Sequence, residues 1–83
     1  MATIIRSTQQ LGTALRRFRR QKELTQNALG DLMHSRQATV SKLESGEPGT
    51  QLRILMDALA ALDLELVIRP RTKASVKDIE ELF

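Results

Sequence analysis

The residues predict a mainly α fold: a compact set of four to five short helices, one late β-strand pairing across a dimer, and a short tail. Three observations carry this. Apolar residues recur at helical spacing in successive stretches, each bounded by capping or turn residues. One late stretch, residues 64–69, alternates with period two instead. The chain has 83 residues, 41% hydrophobic but only 2% aromatic, so its core is thin and a second copy would cover exposed apolar surface. Residues 1–70 are expected to form one domain and residues 71–83 a flexible C-terminal tail.

At the start, Thr3-Ile4-Ile5 leans towards β but is too short to stand alone. Ser7 and Gln10 then have capping-box spacing. A helix to about Lys22 follows, with Leu11, Ala14, Leu15 and Phe18 at i, i+3, i+4 and i+7. Arg16 and Arg20 lie opposite that stripe, with Arg17 and Arg19 on its flanks. Five cations between Arg16 and Lys22 fit a solvated face. They also fit phosphate contacts, given what comes next.

Residues 24–46 read as two short helices joined by a tight turn. The first carries Ala28, Leu29, Leu32 and Met33 on one side, and the Thr25 oxygen can accept from its free first-turn N–H groups. His34, Ser35 and Arg36 make a polar break. The second helix runs from about Gln37 to Glu44, and Gly46 ends it with the residue that tolerates positive φ. Val40 and Leu43 suit a core, while Ala38, Ser41 and Lys42 point the other way, with Thr39 on a flank and Gln37 at the open end. An outer side that is small, amide-bearing or cationic can lie close to base edges. An ordinary αα-hairpin with a polar surface fits the spacing equally.

The loop Glu47-Pro48-Gly49 cannot continue a helix. Thr50 can cap the next one, about Gln51 to Leu62, whose broad apolar side is Leu52, Leu55, Met56, Leu59 and Leu62. Ile54, Ala58 and Ala61 form a narrower stripe on the far side, suited either to another chain or to plain surface. In the strand that follows, Leu64, Leu66 and Ile68 share a face, and Pro70 stops it. A lone strand has two bare edges, so its ladder partner is Thr3 to Arg6, the same strand of a second subunit, or both. The second subunit is favoured, with Ile54, Ala58, Ala61, Leu64, Leu66 and Ile68 at the dimer interface. Val76, Ile79, Leu82 and Phe83 fall on one side of a short tail helix, either a frayed end or a segment that folds onto a protein partner.

Charge and composition narrow the classes. The net charge is +3, yet residues 1–45 hold eight Lys or Arg against three Asp or Glu, and residues 46–83 five against seven. A polyanion at the basic half and another partner at the other half fit that asymmetry. With no Cys, a disulfide or thiolate metal site is excluded. One His and no Gly-rich phosphate loop leave no nucleophile–base set. His34 reads as a turn residue, and Asp78, Glu80 and Glu81 are adjacent acids on a tail that cannot preorganise a site. No enzyme, catalytic residue, metal or cofactor is expected. The lack of a membrane-length apolar run and of a secretory h-region points to the cytoplasm.

At Thr25-Gln26, Gln37-Ala38-Thr39-Val40-Ser41 and Leu43-Glu44-Ser45-Gly46 the chain resembles the Xre/Cro/lambda-repressor type of helix-turn-helix protein, over roughly residues 7–62. It departs at His34, where that family usually has Gly in the turn. Ser-Thr-Gln-Gln-Leu at residues 7–11, Arg36-Gln37-Ala38-Thr39, Leu64-Glu65-Leu66 after the fourth helix and the aromatic-ended tail are similar to HipB-type antitoxins. The resemblance implies a sequence-specific repressor that binds an inverted-repeat operator as a homodimer. It also implies neutralisation of a HipA-like kinase toxin, with the strand paired across the dimer and the tail (Val76, Ile79, Leu82, Phe83) entering a toxin cleft.

It further implies that the paired 37–44 helices enter successive major grooves about 34–36 Å apart. Arg36, Gln37, Ala38 and Ser41 would reach bases, and Lys42 a base or a phosphate; Arg suits guanine, Gln adenine and the Ala38 methyl a thymine methyl. Gln26 would bind backbone phosphate with the amides at its helix start, and Thr39, Arg16, Arg17 and Arg20 are further phosphate candidates. Arg19 and Glu44 match the family's structural ion pair. Two other readings stay open: a stand-alone phage-repressor-like regulator with no toxin, and a protein-binding adaptor that keeps the shape. A neighbouring kinase-like gene separates the first from the antitoxin, and salt-dependent binding to a palindrome excludes the second.

Overall fold

Residues 2–71 are described by the structure, a computed structural model. Four helices follow in order: α1 (Thr8–Gln21), α2 (Gln26–Met33), α3 (Gln37–Glu44) and α4 (Leu52–Ala61). Local chemistry sets their starts. The Ser7 oxygen accepts from the Gln10 N–H, while Gln10 Oε1 reaches back to the Arg6 N–H at 2.6 Å. Thr25 accepts from the Ala28 N–H at 3.0 Å. The start of α4 differs from expectation. Its N-cap is Gln51, with no side-chain cap, because the Thr50 hydroxyl donates instead to the Glu47 carbonyl and closes the preceding loop.

α2 stops at His34, which takes the left-handed conformation (φ 56, ψ 39) that the turn requires although it is not glycine. The N–H groups of His34 and Ser35 then bond back to the carbonyls of Asp31 and Gly30. Gly46, at φ 81, ends α3. Gly12 lies where α1 meets the end of α3: a β-carbon there would collide with the Glu44 carbonyl oxygen. Only hydrogen fits, so the two backbones touch.

The helices enclose one core of Leu15, Leu29, Met33, Val40, Leu43, Ala58, Leu59 and Leu62, with Leu11, Phe18, Ile54 and Leu64 packed against it. α3 packs on α1 and α2, and α2 on α4. Two face assignments are corrected. Leu32 is 56% exposed, because α2 turns Leu29, Gly30 and Met33 inward. On α4, Leu52 is 68% and Met56 47% exposed, whereas Ala58 is wholly buried. The buried face is thus rotated by roughly one residue step from that expected.

No strand forms among the described residues. Residues 64–69 make no backbone hydrogen bond to another extended segment there, and a strand exists only with a ladder partner. The expected tail helix lies outside the described residues.

Candidate nucleic-acid interface

α3 is locked on its inner side and open on its outer side. Val40, Leu43 and Glu44 are buried, whereas Arg36, Gln37, Ala38, Ser41 and Lys42 are exposed and Thr39 is half-buried. These five therefore lie on one accessible edge. Arg36 is the N-cap and makes no side-chain cap bond, leaving its guanidinium outside the turn.

The lock is electrostatic as well as apolar. Arg19 on α1 grips Glu44 with two hydrogen bonds, Nε to Oε2 at 2.6 Å and Nη2 to Oε1 at 3.0 Å. Its remaining Nη1 donates to the Leu24 carbonyl at 2.8 Å, tying down the link between α1 and α2. The buried carboxylate collects two further donors, Gln26 Nε2 at 3.2 Å and Arg16 Nε at 3.4 Å. Burial on its own would push the Glu44 carboxyl up. The hydrogen bonds from Arg19 and Gln26 and the Arg19 charge outweigh it and hold the group below its ordinary range. Among the described residues no buried side-chain nitrogen or oxygen lacks a hydrogen-bond partner.

Gln26, the first residue of α2, is half-buried beneath the open end of α3, and its Oε1 accepts from Gln37 Nε2 at 2.8 Å. The phosphate candidates on α1 are all exposed but differ in their ties. Arg16 leans on Glu44, while Arg17 donates to the Thr3 hydroxyl and lies over the Phe18 ring. Of the expected dimer-contact residues, Leu66 and Ile68 are exposed, and Ile54, Ala61 and Leu64 are half-buried. Ala58 is corrected: it is sealed in the chain's own core and offers nothing to a second subunit. Val76, Ile79, Leu82 and Phe83 lie outside the described residues.

Residues 10–68 match the family described as Helix-turn-helix domain. The chain belongs to that family. Solved structures similar to this helix-turn-helix protein include a HipB-O4 20mer complex and a HipA-HipB-O2-O3 complex. Each has a TM-score of 0.80 at 28% identity, over 86% of this chain and 100% of that chain. A HipB-O1-O2 complex has a TM-score of 0.78 at 29% identity, over 83% of this chain and 100% of that one. No curated protein matches.

The helix-turn-helix pair is α2–α3. Sequence reasoning foresaw the Arg19–Glu44 pair but missed that Glu44 also holds Gln26 and Arg16. Those contacts span 18 and 28 residues and leave no local pattern to read. No helix among the described residues is long and apolar enough to cross a membrane.

Proposed function

We propose that this helix-turn-helix protein is a sequence-specific DNA-binding repressor that acts as the antitoxin of a HipA-like kinase toxin. It binds an inverted-repeat operator as a homodimer. The observation that carries the reading is the exposed edge of α3, with Arg36, Gln37, Ala38, Ser41 and Lys42 outward on a helix fixed from behind by Glu44. Arg36 and Lys42 supply cationic donors, Gln37 an amide and Ala38 a methyl, the groups that read base edges in the major groove. Gln26, Thr39, Arg16, Arg17 and Arg20 are the proposed backbone contacts, which set register without reading sequence. Likeness to HipB structures over most of the chain supports the operator and toxin roles.

The dimer is proposed on a groove of about 710 Å³ between the two ends of the described chain, lined by Ile4, Ile5, Leu55, Leu59, Leu66 and Ile68. Beside it on α4 lie exposed Leu52 and Met56. That surface replaces Ala58 in the expected contact set, and Leu64, Leu66 and Ile68 supply the strand that a second copy would complete. Val76, Ile79, Leu82 and Phe83 are proposed to engage the toxin.

Two substitutions test the reading. Gln37→Ala should cost about 1–3 kcal/mol of binding and relax preference at one base pair, while Arg20→Ala should weaken all sequences alike and flatten the salt dependence. The reverse pattern would refute the assignment. Pull-down with the product of a neighbouring kinase-like gene should succeed with the whole chain and weaken after truncation at Ala74. Failure to capture such a kinase would leave a repressor without a toxin.

A further inference from the structure

We propose that Glu44 is a positioning residue for base reading: acting through Gln26, it fixes which atoms Gln37 turns outward and so makes that position select adenine. The inference rests on the DNA-reading role proposed above for Gln37.

The argument follows hydrogen-bond polarity. An ionised carboxylate only accepts. Glu44 Oε1 therefore takes the Nε2 end of the Gln26 amide, at 3.2 Å. The reversed amide would set two oxygens face to face. Arg19 and Arg16, on the same carboxylate, are donors without acceptor capacity and reinforce its polarity. With Nε2 inward, Gln26 directs Oε1 onward, where it accepts from Gln37 Nε2 at 2.8 Å. The Gln37 amide is then committed as well. One of its two Nε2 hydrogens is used, leaving one donor and the Oε1 acceptor, in a fixed hand. That pair matches N7 and the N6 amino group of adenine. Guanine presents two acceptors there and would oppose its O6 to Gln37 Oε1. An unrestrained glutamine could turn both Nε2 hydrogens towards the two guanine acceptors; this one has already given one of them to Gln26, whose amide is held by a buried charge.

Each link joins a different place in the fold: the end of α3, the start of α2 and the start of α3. Glu44 is buried and so does its work without touching DNA.

The test uses the full chain, titrated against duplexes that the wild type enriches from a randomised pool, with every base pair permuted. Gln37→Ala locates the pair that Gln37 reads. The wild type should prefer adenine there by about 10-fold to 100-fold. Glu44→Gln lets residue 44 present either oxygen or nitrogen to Gln26. Gln26→Leu cuts the relay while leaving the Arg19–Glu44 pair in place. Each should reduce the adenine preference to within about three-fold, chiefly by admitting guanine, and leave preferences at the other pairs unchanged.

Preference kept in Gln26→Leu, shown folded by circular dichroism, would overturn the relay even if Glu44→Gln failed to fold. So would equal loss at every base pair, the mark of a purely structural role. A wild type that selects duplexes but favours another base at the Gln37 pair defeats the polarity argument alone. A wild type that enriches no duplex defeats the DNA-reading role, and the relay with it.

Discussion

At the residue scale Glu44 matters most, because one buried carboxylate meets two arginines from α1 and a glutamine from α2. Removing it leaves the Arg19 guanidinium buried without its partner, so Glu44→Ala should cost about 3–5 kcal/mol in urea denaturation. The pH dependence has a definite sign. The folded carboxyl titrates below its unfolded value, so its stabilisation is full above that value, about 4.3, and is lost as pH falls through the lower folded one. Glu44→Gln should therefore be least stable relative to wild type near neutral pH, with the two curves converging in acid. A gap that widened below pH 4 would contradict this account of the pair.

Residue-level signals were also the most legible ones. Ser7 and Thr25 do cap their helices, because a cap is made by chemistry within three residues. His34 takes the left-handed conformation at the turn position where the resembled family usually has Gly. The Arg19–Glu44 pair, by contrast, was reached only through family resemblance: 25 residues separate its members, and no spacing rule joins them.

Among elements, the α2–α3 turn and α4 show opposite degrees of legibility. The turn follows from its residues, and its strain can be measured. His34→Gly should raise stability by up to about 1 kcal/mol, relief of the left-handed backbone being partly offset by a looser unfolded chain. His34→Val, β-branched at positive φ, should lose at least about 1 kcal/mol. Thermal melts of the two variants should move in opposite directions. α4 was misread because apolar residues surround much of it, and periodicity does not rank two apolar faces. Ala58, Ile54 and Ala61 turn towards the core, and the larger Leu52 and Met56 are left at the surface. Hydrophobicity alone put the bigger side chains inside, whereas the neighbours α4 packs against decide which face is covered.

For the whole molecule, the unfinished feature is the apolar edge made by α4 and residues 64–70. Leu52, Met56, Leu66, Val67 and Ile68 are all exposed in the single chain, at 47% or more each. Leu66→Glu should spare the fold of the protomer, since Leu66 is 55% exposed, and weaken self-association at least about ten-fold. Sedimentation equilibrium would measure that. Operator binding should then fall more steeply for the complete inverted repeat than for a half-site. Unchanged association would place the interface elsewhere. The alternation of residues 64–69 is plain in the sequence, but a strand is a property of a pair, and no other described segment pairs with it.

The two-sided character of α3 has a practical consequence for engineering. Positions 36, 37, 38, 41 and 42 are open, whereas 40, 43 and 44 are sealed against the rest of the molecule. A display repertoire diversified at the open positions would explore new targets on an unaltered scaffold. One that strayed onto the sealed positions would return mostly clones that never reach the native state.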